Sequence, residues 1–184
     1  MTYDDQEFVT KDPLIERVLI GSDEIGRRVQ QLGSEISRDY VDRTPILVSI
    51  LKGSFVFLAD LTRSISVHHE VDFMAISSYH GGTESTGVVK IEKDLKANIT
   101  DRDVLIVEDI VDTGLTLDHL LNVLNTRNPR SIRICSLLDK STRRKKEVPV
   151  SYRGFEIPDE FVIGYGLDYD EKYRNLPFIG VLKP

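Results

Sequence analysis

At 184 residues, with 40% hydrophobic and 29% charged side chains, the chain is long enough to bury a sizeable core as a single domain over residues 1–184. A net charge of -6 argues against a general nucleic-acid binder, no apolar stretch approaches the ~20 residues of a membrane span, and the acidic start MTYDDQEFVTKD is unlike a signal peptide. The one cysteine, Cys135, sits in an apolar run without a partner, so it reads as core filler in a cytoplasmic protein without structural disulfides.

In chain order, Ile25, Val29, Leu32 and Ile36 share one face and predict a helix, capped at Ser22 with Asp23 and Glu24 in its first turn. Ile46–Leu51 predicts a strand, Phe55–Ile65 a second helix and Val71–Ser77 another strand. Ser78–Gly87 is a polar, glycine-rich loop of the kind that serves as a lid. Val104–Glu108 is a strand, and Leu117, Leu120, Leu121 and Leu124 mark a third helix that ends before Pro129. Ile132–Leu138 predicts a strand followed by the basic loop Lys140–Glu147. Phe161–Gly164 is the last core strand, and the loop after it, to Asn175, carries acids, aromatics and Arg174.

The strands at Ile46, Val104 and Ile132 are apolar almost throughout, as strands covered on both faces are. Alternation with helices predicts an α/β fold with a mostly parallel, doubly wound sheet and right-handed crossovers. In such sheets ligands bind beyond the carboxyl ends of the strands, where the acidic run, the basic loop and the Asp168 loop can converge on one crevice.

The richest segment is VLIVEDIVDTGLTL, from Val104 to Leu117. It is neither a P-loop nor a dinucleotide fingerprint, because GxxxxGK[ST] and GxGxxG are both absent. Asp112-Thr113-Gly114 matches the aspartic-protease tripeptide, but it occurs once, whereas that chemistry needs two such carboxylates. The four histidines show no metal-ligand spacing. Read physically, Glu108 and Asp109 end a strand, where carboxylates accept hydrogen bonds from vicinal hydroxyls. Asp112 through Thr116 turn into a helix whose N-terminal N–H groups and dipole favour an anion. Gly114 allows close approach, and Thr113 and Thr116 add hydroxyl donors. A lone acid here would be read as solvating a strand end; the whole run reads as a site for a sugar phosphate.

On those residues the chain resembles a type I phosphoribosyltransferase. Val107–Thr116, VEDIVDTGLT, is similar to that family's signature for phosphoribosyl pyrophosphate (PRPP). Leu51-Lys52-Gly53 resembles the pyrophosphate loop of the purine-salvage members, and Ser78-Tyr79 the start of their lid. Lys140 stands where their purine-reading lysine does. Phe155–Asp168, FEIPDEFVIGYGLD, with Arg174 beyond it, resembles the C-terminal stretch of the hypoxanthine-guanine branch. Leu115 departs from members that carry a basic residue there, which bears on affinity for the 5′-phosphate.

The resemblance implies a sheet with a small hood built from N- and C-terminal segments, and transfer of phosphoribose from PRPP to hypoxanthine or guanine with release of pyrophosphate. It implies Mg2+ held by Asp168, Glu108 and Asp109, with the last two also holding the ribose hydroxyls, and Asp112 as general base at purine N7. The 5′-phosphate would rest on Asp112, Thr113, Gly114, Leu115 and Thr116, and pyrophosphate on Lys52, Gly53 and Arg174. Ser78 and Tyr79 would belong to the lid, and Lys140, Phe161, Val162 and Asp168 to the purine site. A non-proline cis peptide bond is expected at Lys52-Gly53. Arg143, Arg144, Lys145 and Lys146 read as a solvated basic loop. A homodimer or homotetramer acting on small molecules is implied, with no nucleic-acid or membrane partner. Two alternatives stay open: a xanthine-preferring 6-oxopurine transferase, and a non-enzymatic PRPP-sensing regulator on the same fold.

Overall fold

The computed structural model describes residues 4–78 and 89–183. Its elements are α1 (Asp5–Lys11), β1 (Ile15–Ile20), α2 (Ser22–Asp39), β2 (Ile46–Leu51), α3 (Phe55–Ser64), β3 (Glu70–Ser78), β4 (Val89–Lys93), β5 (Asp103–Val111), α4 (Leu115–Asn125), β6 (Ser131–Asp139), a 3-10 turn (Ser141–Arg143), β7 (Val150–Glu156), β8 (Val162–Ile163) and β9 (Ile179–Leu182). Tyr79 lies outside the described residues, and Ser78 closes β3, where it pairs with Val89.

Six strands form the main sheet in the order β4-β3-β2-β5-β6-β7, parallel except for the β3–β4 pair. The period of two along each strand sends alternate side chains to opposite faces. Leu47, Leu105 and Val107 join α2 and α3 on one side. Ile46, Val48, Ile50, Val104 and Ile106 join Leu117, Leu120 and Leu124 of α4 on the other. This two-sided burial is why these strands read as unbroken apolar runs. Truncating a fully buried residue such as Leu105 to alanine would cost about 2–5 kcal/mol. Cys135 is buried among them, and burial pushes its thiol pKa up, as befits core filler.

On α2, Ile25, Val29, Leu32 and Ile36 are buried as the periodicity predicts. Its cap differs from expectation. Gly21 is the N-cap, Ser22 is the first helical residue, and the Ser22 N–H donates to Asp5 Oδ2 at 2.8 Å, so a carboxylate from α1 does what a serine hydroxyl was expected to do. A second sheet, β1-β9-β8, is antiparallel and sits over its own apolar cluster of Ile15, Ile163, Leu176, Phe178 and Leu182. The predicted last core strand is therefore only Val162–Ile163 and belongs to this smaller sheet, because its partner is β9 rather than a strand of the main sheet.

Candidate active site

β5 does not end at the two acids. It continues to Val111, with Glu108 opposite Ser136 and Val111 opposite Asp139 of β6. The acids thus stand within a paired strand, near its carboxyl end, and the chain turns only at Asp112. There, Glu108, Asp109, Asp112, Thr113, Gly114 and Thr116 line a cavity of ≈ 280 Å³ together with Gly53 and Ile50. A larger cavity of ≈ 790 Å³ opens between α2, α3 and residues 174–177, and of the predicted site residues only Arg174 reaches it.

Both acids have their carboxyl pKa raised. Burial raises the Glu108 carboxyl well above the ordinary range, and the charge of Asp109 raises it further. Burial likewise pushes Asp109 up to about 6, although its carboxylate accepts from the Ile110 N–H and feels Arg174. Among the described residues neither acid forms an ion pair. Asp109 Oδ1 accepts the Ile110 N–H at 2.8 Å, and its other oxygen packs against the Cα of Gly53. Gly53 in turn meets Gly166, whose φ of +104° admits only glycine readily, and a Cβ there would sit 2.1 Å from the Gly53 carbonyl oxygen. A strand and two loops separated by more than fifty residues thus close on one another through two glycines. The cis peptide bond lies one position before the expected one, between Leu51 and Lys52.

The turn into α4 leaves the start of that helix without a side-chain cap. Gly114 is its N-cap, with φ +79°. The carbonyl of Asp112 accepts from Arg144 Nη1 at 2.9 Å, and that of Thr113 accepts from the Lys145 and Lys146 N–H groups at 2.9 and 3.1 Å. In a trans peptide the N–H points opposite to the C=O, so the Thr113 and Gly114 N–H groups face away from the basic loop. Among the described residues they donate to no acceptor in the chain. The basic loop is therefore not simply solvated. Arg144 has only 8% of its side chain exposed, because it is buried against the carboxylate of Asp139. Arg143 Nε lies 3.3 Å from Asp112 Oδ1.

Lys140 follows β6 and is buried, with Nζ 3.8 Å from Asp159 Oδ1. Phe161 is 55% exposed and meets Tyr169 edge-on at 5.6 Å, so it is not core filler, whereas Val162 is buried in β8. Arg174 donates to the Gly166 carbonyl at 2.8 Å and pairs with Asp168 at 2.8 Å and with Glu171 at 3.5 Å. Lys52 is exposed and pairs with Glu171 at 3.0 Å. The sequence reading missed Asp139, Asp159, Tyr169 and the role of Arg144. Only Asp139 carried a signal, as an acid ending a buried strand beside Lys140.

Residues 21–170 match the family described as phosphoribosyl transferase domain. The chain is 51% identical over 170 residues to a hypoxanthine-guanine phosphoribosyltransferase of Bacillus subtilis (strain 168), covering 92% of this chain and 94% of that one. A crystal structure of a hypoxanthine phosphoribosyltransferase from Staphylococcus aureus superposes with a TM-score of 0.92 at 48% identity, covering 95% of each chain. A ternary substrates complex of the Trypanosoma cruzi hypoxanthine phosphoribosyltransferase does so with a TM-score of 0.89 at 40% identity, covering 94% of this chain and 98% of that one. The chain belongs to the phosphoribosyl transferase family, and within it to the hypoxanthine-guanine phosphoribosyltransferases.

Proposed function

We propose that the cavity beyond β5 is where phosphoribose passes from PRPP to hypoxanthine or guanine, the purine-salvage reaction of this family. Purine N9 bonds to C1′ as the bond from C1′ to the pyrophosphate oxygen breaks, and the N7 proton goes to Asp112. The observation that carries the reading is one cavity lined by two acids of raised pKa beside two backbone N–H groups that, among the described residues, have no acceptor in the chain. That pairing suits a ribose at one end and its phosphate at the other.

Glu108 and Asp109 would accept from the ribose 2′- and 3′-hydroxyls, and their charge would favour an oxocarbenium-like transition state. Thr113, Gly114, Leu115 and Thr116 would hold the 5′-phosphate through N–H and hydroxyl donors. Lys52, Gly53 and Arg174 would hold pyrophosphate, Arg174 with its forked guanidinium. Lys140 would donate to the purine 6-oxo group, Phe161 would stack on the ring, and the Val162 backbone would meet the N1/C2 edge. The small sheet β1-β9-β8 would be the hood above the site, and Ser78 and Tyr79 would belong to a lid that excludes water.

Magnesium fits this donor set. Among the described residues no three ligands are gathered in advance, but magnesium needs only one or two carboxylates beside phosphate oxygens and waters. Asp109, Glu108 and Asp168 are the groups that would hold it. When bound, the ion supplies positive charge against the departing pyrophosphate.

The reading carries with it a cytoplasmic location and a homodimer or homotetramer. Among the described residues no helix is long and apolar enough to cross a membrane. The test is turnover with PRPP and magnesium against hypoxanthine, guanine, xanthine and adenine in parallel. Hypoxanthine and guanine should react and adenine should not; silence on all four bases by protein that binds PRPP would overturn the reading.

A further inference from the structure

Behind the phosphate loop, on the side away from the cavity, the carboxylate of Asp139 ends β6. It is fully buried, between Val111 of β5 and Glu156 of β7. An unpaired carboxylate there would be costly and would repel any anion on the loop in front of it. Two arginines answer it. Arg153 Nε lies 2.7 Å from Oδ2, off the line of a hydrogen bond, with half its side chain in solvent. Arg144 is buried and forks. Nη2 donates to Asp139 Oδ1 while Nη1 donates to the carbonyl of Asp112 at 2.9 Å. The segment that follows donates both its N–H groups to the Thr113 carbonyl, and the Lys146 carbonyl and Arg144 Cδ press on Gly114, where a Cβ would meet them at 2.3 and 3.1 Å.

We infer that Arg144, braced by Asp139, is a positioning residue for the phosphate loop. By holding the Asp112 carbonyl outward it aims the next N–H into the cavity and sets the backbone that carries the Asp112 carboxylate. Its guanidinium also places positive charge behind a loop, Asp112–Thr116, that has no basic side chain of its own. The planar fork is needed for both contacts, and a lysine ammonium reaches one. The inference rests on the phosphate reading proposed above.

The test compares binding of IMP with that of inosine, which lacks the phosphate, in the parent, Arg144→Met, Arg144→Lys and the double variant Asp139→Asn/Arg144→Met. The parent should prefer IMP strongly. Arg144→Met should lose roughly tenfold or more of that preference and raise the KM for PRPP by a similar factor, with the KM for hypoxanthine changed less than about threefold. Because Asp139 acts through Arg144, the double variant should bind IMP no worse than Arg144→Met. Arg144→Lys keeps the charge against Asp139, so it should fold like the parent and still lose IMP preference. If the parent binds IMP and inosine equally, the phosphate reading itself is wrong. If the parent prefers IMP and both Arg144 variants retain that preference in full, the reading stands and the positioning role is refuted.

Discussion

Asp109 and Gly53 are in contact at a distance only glycine allows: a Cβ on Gly53 would lie 1.6 Å from Asp109 Oδ2. The missing side chain is what lets the half-buried carboxylate on β5 stand against the turn after β2.

Gly53→Ala should therefore act on chemistry. The Asp109 carboxylate must move by more than an ångström or the turn must open, and misplacement of that size costs about 10²-fold in rate. Steady-state kinetics beside a thermal melt would show it: kcat/KM down by that order with a folded protein. Parental kcat/KM would mean that the carboxylate position does not matter.

Asp112→Asn should lower turnover by ~10²–10⁴-fold, the usual worth of a general base, while PRPP binding persists. The backbone cradle at Thr113 and Gly114 does not depend on that side chain. Turnover within a factor of two of the parent would remove Asp112 from the role.

Lys140 has its ammonium buried and can only donate. Adenine would present an amino donor at the same point, so the parent should favour hypoxanthine over adenine by at least about 10²-fold. Lys140→Met should erode that ratio chiefly by losing hypoxanthine activity. Competition assays with both bases measure it directly, and an unchanged ratio would place the selectivity elsewhere.

Stability should run against the usual pH trend at Asp109. Its folded pKa of about 6 exceeds the ordinary 3.8 because burial disfavours the charge. The folded state then holds a proton that the unfolded chain has released, so this group makes stability fall as pH rises from about 4 to about 6, with no further loss above. In metal-free buffer Asp109→Asn should melt above the parent by roughly 3 °C at neutral pH, and the two curves should meet below about pH 4. A difference independent of pH would show that the carboxylate is not strained by burial. The same variant should lose activity, the expected trade at a site built for charge.

Much of this molecule is written in local pattern. Continuous apolar runs announced β2, β5 and β6 because strands covered on both faces need no polar side. The spacing of Ile25, Val29, Leu32 and Ile36 announced α2 because one stripe of a helix faces the sheet. The acidic run and its glycine turn read as a candidate sugar-phosphate site because donors and acceptors of that chemistry are contiguous in sequence. Tertiary structure decided the rest. β1, β7 and β9 had no clear period: β7 lies at a sheet edge, β1 pairs with β9 from the far end of the chain, and β9 lies between β1 and the two-residue β8. Whether Phe161 was core or surface was a matter of exposure, which periodicity over so short a strand does not carry. Arg144 looked like one charge in a basic loop, and only the register that sets Asp139 beside Val111 puts a buried carboxylate within its reach. Gly53, Asp109 and Gly166 likewise met only when two loops folded against β5. Sequence fixes which groups are available at each strand end; pairing across the sheet fixes which of them share a cavity, because contact between residues far apart in the chain is a property of register and not of local propensity.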